Sequence, residues 1–322
     1  MKNMRAVVGL LALTAGLFVV ACGGNNAPPK EDFPALGQPA KVKILNAGDG
    51  TKAPLRWKAV KGAGEKLSLI LDTKMEISVS GQSQPVNMTM RMDMDGRVLD
   101  VMADGSSTVS MTVTDASMEM PGMGVDGAGD MMRDMLKGMT IEATMDARGA
   151  MTGTKVTGGS DLMATLGDQM DSSLDQMAIP FPEEAVSVGA QWQALTTQET
   201  NGMKVRMVGT YKLVKLDGNL GVVEMTIQQF ADPQTMDMNG ITAELKGLKS
   251  AGTGTMSFDL TRPMLAKAEI DLKMDAEMEL MGQSADMKVD AKVKMVPKGP
   301  LTEAAPAPDK VVPEDGPAPE EE

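Results

Sequence analysis

The sequence predicts a mainly β protein: a curved antiparallel sheet or open half-barrel built from two related halves, with a few helical segments packed on it. Long stretches alternate strictly between apolar and polar residues, which is typical of strands with one buried face. Residues 67–94 and 268–295 repeat this alternation around a Gly-Gln-Ser turn, at Gly81 and at Gly282, 201 residues later. The offset preserves the alternation on both sides of the turn, so both copies are expected to form a long hairpin with the same face buried.

The N-terminus predicts secretion and a lipid anchor. Residues 1–21 carry a short basic stretch and then an apolar run too short to span a bilayer, as in a signal peptide. The run closes with Val19-Val20-Ala21-Cys22, which resembles the lipobox of bacterial lipoproteins. The resemblance implies cleavage before Cys22, lipidation of that cysteine and anchoring through its acyl chains. The alternative is an ordinary secretory signal with an incidental cysteine.

The composition and patterning of the rest of the chain predict its division into segments. Residues 298–322 are rich in Pro, Ala and acidic residues and have too few large apolar side chains to fold, so we expect a disordered tail. Leucine and methionine recur every three or four residues over 160–177, which predicts a helix. The predicted organisation is a signal peptide over 1–21, the lipidated Cys22 and a tether over 22–53, a first β half over 54–185 that includes the helix, a second β half over 186–297, and the tail.

Smaller elements are predicted inside the two halves. Residues 55–60 are expected to form the first strand, and residues 139–156 a further hairpin. A short amphipathic helix is expected over 130–137. Residues 232–252 lack a regular alternation and are expected to be an irregular or helical insert.

Charge and composition exclude several classes of function. The formal net charge of −13 disfavours nucleic acid as a partner. Histidine is absent, which removes the commonest general base and metal ligand, and the single cysteine allows no intrachain disulfide. No phosphate-binding or nucleophile motif is found. We therefore expect a protein that is not an enzyme and needs no cofactor.

Methionine replaces aromatic residues as the main apolar filler, with 33 methionines against an aromatic content of 2%. Met88, Met90, Met92 and Met94 lie at a spacing of two, so a strand would put their thioethers on one face. Such a face suits an acyl chain or Cu(I), although sheet core is the more common role for buried methionines. The candidate ligand-binding residues are Met88, Met90, Met92, Met94, Met274, Met278 and Met287.

A metal site is a weaker hypothesis. The stretch that contains Met118, Met120 and Met123 could wrap thioethers around Cu(I) or Ag(I), although the same residues could simply cover the sheet edge. In the second hairpin Val289 and Ala291 stand where the first has Met88 and Met90, which favours packing over coordination. We expect no metal site among the carboxylates, because none matches the spacing of a calcium loop.

The combined motifs resemble a bacterial lipoprotein family of uncharacterised function. They are the lipobox cysteine, Leu55-Arg56-Trp57, and a centre running from Pro182 through a Val-x-Val-Gly to Trp192. The resemblance spans most of residues 40–297 and carries no catalytic residues. The hairpins with a covering helix are more loosely similar to the half-barrels of periplasmic lipoprotein carriers and lipid-binding lipoproteins.

Together these features predict a lipoprotein of the bacterial cell envelope, anchored by Cys22, with the outer membrane as the expected membrane because glycines follow the cysteine. The expected function is non-enzymatic binding or carriage of an apolar or lipid-like molecule. The alternatives are a structural or protein-interaction role, with an unknown protein partner, and Cu(I) binding by methionine.

Overall fold

The structure is a computed structural model that describes residues 32–79, 81–122, 127–159, 179–200, 203–238, 241–280 and 282–301. The predicted signal peptide, Cys22, the helix over 160–177 and the tail beyond residue 301 lie outside the described residues. None of the helices in the described part is long and apolar enough to cross a membrane.

The described residues contain thirteen strands and one short helix. In chain order they are β1 (Lys41–Asn46), β2 (Gly64–Val79), β3 (Gln82–Val101), β4 (Ser107–Glu119), α1 (Ala128–Leu136), β5 (Thr140–Met145), β6 (Met151–Thr157), β7 (Gln191–Thr200), β8 (Met203–Asp217), β9 (Leu220–Ala231), β10 (Gln234–Met238), β11 (Ile241–Asp259), β12 (Arg262–Leu280) and β13 (Gln283–Pro300). The predictions of a mainly β fold, of α1 and of the β5–β6 hairpin are confirmed.

All thirteen strands belong to one antiparallel sheet, in the order β1-β7-β8-β9-β11-β12-β13-β2-β3-β4-β5-β6, with β10 paired to β11. The chain enters the main meander at its centre, at β2, and builds outward to one edge at β6. It then restarts at β7 near the other edge and returns inward to β13. The strands of the two predicted halves therefore meet where β13 pairs with β2.

The repeated hairpins lie side by side at the centre of the sheet and have the same register. Leu71 pairs with Met90 in the β2–β3 hairpin, and Leu272 pairs with Ala291 in the β12–β13 hairpin, each 201 residues later. Both turns contain a glycine with positive φ, 78° at Gly81 and 77° at Gly282. An L side chain rarely adopts that conformation, which explains why both copies keep glycine there.

The sheet continues past both ends of the two predicted β halves. The predicted tether, 22–53, contains β1, which pairs with β7, so its residues 41–46 belong to the sheet. Phe33 also lies near the sheet, with the guanidinium of Arg206 5.5 Å from its ring centre. At the other end β13 continues to Pro300, which pairs with Glu65, so residues 298–300 of the predicted tail belong to the strand.

The predicted insert over 232–252 is wrong, because this stretch contains β10 and most of β11. A bulge between Leu245 and Gly247 shifts the register of β11 against β12. Buried residues are odd-numbered before the bulge (Leu245) and even-numbered after it (Leu248). The extra residue breaks the period of two, and small residues in the second part weaken the apolar pattern further.

The predicted strand over 55–60 is also wrong: the segment is extended but crosses one end of the sheet instead of joining it. The amide of Trp57 donates to Ala147 in the β5–β6 turn, and the next amide, that of Lys58, donates to Leu260 in the β11–β12 turn. In a flat sheet these turns would be about 29 Å apart, since they are six strand spacings of about 4.8 Å apart. Neighbouring Cα atoms are only about 3.8 Å apart, so the sheet is strongly rolled at this end.

A second segment closes the same end. We call residues 53–58 and 179–186 the end segments. They pair at Ala53 and Val186, and the Arg56 guanidinium donates to the carbonyls of Pro182 (2.8 Å) and Glu183 (2.6 Å). The start of the first half is thereby fastened to the residues that lead into the second half.

The rolled sheet buries one face as a continuous core. Methionine is the most frequent type among the buried apolar side chains of the described residues. A larger cluster fills the part of the molecule next to the end segments. A smaller one lies towards the tips of the long hairpins and gathers residues from β2, β3, β8, β9, β10, β11, β12 and β13. These strands are consecutive neighbours in the sheet, with β10 attached to β11, so the second cluster is one continuous patch of the buried face.

The fold predicts that Gly221 cannot carry a side chain. It pairs with Phe258, whose ring covers it so closely that a Cβ would lie 2.0 Å from the ring. We expect Gly221→Ala to lower the free energy of unfolding by about 1–3 kcal/mol, measured by urea denaturation. The matched control is Gly247→Ala, where nothing lies within 4 Å of a Cβ. Equal stability of the two variants would contradict the packing of Phe258 on Gly221.

An ion pair ties the end of β13 to β3. Burial raises the pKa of the Asp93 carboxyl, but hydrogen bonds from Lys298 and Ser68 outweigh it and hold the pKa below its ordinary value of 3.8. A carboxyl with a depressed folded-state pKa stabilises the fold above its unfolded pKa. That contribution is lost as pH falls through the folded-state pKa.

We therefore expect Asp93→Asn to remove part of the acid sensitivity of the fold. At about pH 6 the variant should be about 1 kcal/mol less stable than the parent protein, and below about pH 3 the difference should shrink. Urea denaturation across this pH range measures it, with the exposed Asp286→Asn as control. A difference that stays constant with pH would show that the Asp93 charge does not contribute.

Candidate functional site

The candidate site is the buried face of the rolled sheet, which we call the inner face. The strand registers align its residues in rows across the sheet. One such row crosses eight neighbouring strands and consists of Thr196, Met207, Gln229, Ser250, Met274, Val289, Met75 and Val86. A row of this kind brings together residues that are far apart in sequence, so the site could not be located from local spacing alone.

The predicted methionine row lies on the inner face. Met88, Met90, Met92 and Met94 alternate with exposed or half-buried residues along β3, and all four belong to the larger core cluster. They are only 6–8% exposed. In the residues that the structure describes, this part of the inner face is therefore packed by side chains.

The methionines proposed in the second hairpin lie on the same face but in another place. Met274 and Met278 are buried in the smaller cluster, and the half-buried Met287 packs against it. The structure thus divides the seven candidate residues between two clusters. The half-buried Val289, which lies in one row with Met274 and Met75, packs against both clusters and connects them.

The opposite face of the central strands is charged, and its charges compensate one another. Three directly opposed pairs of the β12–β13 hairpin bring a lysine to a carboxylate, at 3.5 Å (Lys273–Asp290), 3.1 Å (Lys292–Asp271) and 3.4 Å (Lys294–Glu269). Exposed pairs of this kind stabilise little individually. They make this surface close to neutral.

The methionines of the metal hypothesis lie at the end of β4. Met118 pairs with Met90, and both Met118 and Met120 are half-buried against the core, while Met123 lies outside the described residues. Among the residues described, no group of three or more His, Cys, Asp or Glu could hold a metal ion. The packing of Met118 against Met90 accounts for its position without an ion.

Sequence reasoning missed two buried polar groups on the inner face. Gln229 is 2% exposed, and its amide nitrogen donates only weakly, to the Met207 sulfur at 3.7 Å. The Gln229 Oε1 and the Thr196 Oγ1 are buried without a hydrogen-bond partner in the part of the chain that the structure describes. The sequence does contain an indication: in β9 the buried positions 223, 225, 227 and 231 are apolar, and Gln229 interrupts them.

The two tryptophan motifs meet at the closed end of the sheet. The Trp57 ring packs against Phe181 and Phe258, with centroid distances of 5.2 and 5.9 Å. Trp192 donates from Nε1 to the Pro180 carbonyl at 2.9 Å and stacks on Tyr211 with centroids 5.7 Å apart. These rings anchor the end segments, so packing accounts for the position of both motifs.

Tyr211 belongs to the same anchor. It is fully buried, and burial raises the pKa of its phenol well above the ordinary value. Its ring covers Gly209, where a Cβ would come within 2.8 Å of it. The Tyr211 ring is therefore a packing element between Trp192 and Gly209.

Comparison with known proteins gives one family and no function. A model described as a "Family of unknown function (DUF6263)" matches residues 123–265, less than half of the chain. No curated protein matches the sequence. The structures with detectable similarity include that of DynF from the dynemicin biosynthesis pathway of Micromonospora chersina, at 8% identity, covering 86% of this chain and 94% of that one. Its TM-score is 0.22, which supports no inference about this chain.

The packing of the inner face predicts its chemical reactivity. With dilute hydrogen peroxide we expect Met131, which is 68% exposed, to form the sulfoxide well before Met90 and Met92, which are 7% and 8% exposed. Peptide mass spectrometry measures the order of oxidation. In denaturant all three should react at similar rates, which is the control. Rapid oxidation of Met90 and Met92 in the native protein would contradict a packed face.

Proposed function

We propose that the protein is a lipid-anchored protein of the bacterial cell envelope that binds an apolar or lipid-like molecule against its inner face and catalyses no reaction. The observation that carries the proposal is the composition of that face: a continuous apolar surface in which methionine is the most frequent side chain. Methionine is unbranched and flexible, so such a core can re-pack around a guest with little strain.

The architecture supports this proposal. A single rolled sheet encloses the inner face, and the described strands leave β1 and β6 as its two edges, which do not pair with each other. A sheet with an open seam can widen without breaking a strand ladder. An acyl chain could then replace part of the methionine packing, as the resemblance to lipid-carrying half-barrels implies.

The location follows from the lipobox. Acylation of Cys22 would anchor the folded part to a membrane through several acyl chains. Each buried methylene group contributes about 0.8 kcal/mol to the free energy of membrane binding. The ten residue-to-residue steps from Cys22 to Asp32 could extend about 33 Å, enough to reach from the bilayer to the sheet. We assign the anchor to the outer membrane, on the glycines that follow Cys22.

A structural or protein-interaction role is the second candidate, and the distribution of charge favours it. Residues 302–322 hold seven acidic residues and one lysine, so they carry −6 of the formal net charge of −13. The central outer face is nearly neutral by comparison. A basic partner would therefore meet the tail, and deletion of 302–322 would abolish its capture while leaving ligand binding intact.

Extraction of the purified protein tests the ligand proposal. Mass spectrometry of an organic extract should find a bound lipid-like molecule in stoichiometric amount. Thr73→Leu, which adds volume on the inner face beside Met88, should lower that amount severalfold. Asp72→Leu, one residue away on the exposed face, is the matched control and should leave it unchanged. Extracts without a ligand from the parent protein, or equal loading of the two variants, would overturn the proposal.

A further inference from the structure

At Gln229 the chemistry of the inner face departs from that of an apolar core. Gln229 of β9 is 2% exposed and has apolar neighbours along its own strand, Ile227 and Ala231, both buried. On one side its register partner is Met207 and on the other Ser250. An amide at this position is removed from water and surrounded mainly by side chains that cannot satisfy it.

The hydrogen-bonding capacity of Gln229 is largely unused. Its Nε2 donates only to the Met207 sulfur at 3.7 Å, a weak acceptor, and its Oε1 accepts nothing from the residues that the structure describes. Ser250 directs its own hydroxyl to the Lys273 carbonyl at 3.3 Å. Burying an unsatisfied polar group destabilises a fold, and a leucine in its place would not.

A second unsatisfied oxygen lies in the same row. Thr196 of β7 is the register partner of Met207, so Thr196 and Gln229 flank one methionine from the two neighbouring strands. The Thr196 Oγ1 is also buried without a partner in the described part of the chain. Movement of the flexible Met207 side chain would bring both oxygens against whatever took its place.

We propose that Thr196, Met207 and Gln229 form the head-group site of the ligand, and that the ligand is an amphiphile with an uncharged hydrogen-bond donor, such as a hydroxyl. The remaining residues of this row, from Ser250 to Val86, include no charged side chain, so nothing there would compensate an ionised head group. This inference rests on the proposed function and adds the chemical class of the ligand.

The site makes a distinctive prediction about stability. Gln229→Leu removes a buried unsatisfied amide at similar volume, so the variant should be at least as stable as the parent protein. A residue that lowers stability but is needed for binding is typical of a functional position. A clearly less stable Gln229→Leu would show that the amide has a structural partner and would overturn the inference.

Binding of two matched probes tests the head-group site directly. The probes are 1-dodecanol, which can donate a hydrogen bond, and dodecyl methyl ether, which cannot; displacement of a fluorescent apolar dye from the full chain measures their affinities. The parent protein should bind the alcohol about five- to tenfold more tightly than the ether, the gain expected from one neutral hydrogen bond. Gln229→Leu should reduce this ratio to near one and leave the affinity for the ether unchanged.

Two further variants make the result specific. Gln228→Leu, the neighbouring glutamine on the opposite face, should keep the ratio of the parent protein. Thr196→Val, which removes only the hydroxyl, should lower the ratio without disturbing the fold. An equal affinity of the parent protein for alcohol and ether, or a ratio that survives both Gln229→Leu and Thr196→Val, overturns the head-group site while the ligand proposal stands. Binding of neither probe overturns both.

Discussion

The pairing of β13 with β2 is the interaction on which the rest of the structure depends. Fifteen residue pairs, from Ala285–Val79 to Pro300–Glu65, join a strand near the end of the chain to the first strand of the central meander. Without this ladder the sheet would be two separate meanders, each with an exposed apolar face and an unpaired edge. With it, two hairpins of the same register form a four-stranded centre, and the apolar face continues from one half to the other.

The closed end of the sheet helps to cover the large apolar face that such a wide sheet exposes. A sheet with one apolar face must cover it, and here the sheet covers itself by rolling until turns six strands apart meet the same short segment. Five of the eight aromatic side chains lie at this end, where the end segments cross between the two halves. Rigid rings therefore fix the curvature at one end, while flexible methionines fill the rest of the inner face. That division is what would allow binding to re-pack the interior without disturbing the fold.

Much of the fold could be predicted from period-two alternation, because apolar residues at every second position mark the buried face of each strand. The hairpins, their glycine turns and the short helix followed from this local pattern. The strands between Asp232 and Gly252 could not be predicted in this way. The bulge at Leu245 moves the buried positions from odd to even residue numbers, and small residues weaken the alternation between apolar and polar side chains. The segment at Leu55 alternates apolar and polar residues as a strand does, but its buried residues, Leu55 and Trp57, are buried by the end of the sheet. The site was only half predictable: the methionines were visible, but Gln229 and Thr196 become neighbours through pairings that the sequence does not reveal.

Hydrogen–deuterium exchange of the native protein measures the central claim most directly. If the β13–β2 ladder holds one continuous sheet together, the amides in the middle of β2 and β13 should be among the slowest to exchange and should open together with their neighbours in β3 and β12. The outer strands β1 and β6 should exchange faster. Two blocks that exchange independently, with fast exchange along the β13–β2 pairing, would contradict the account.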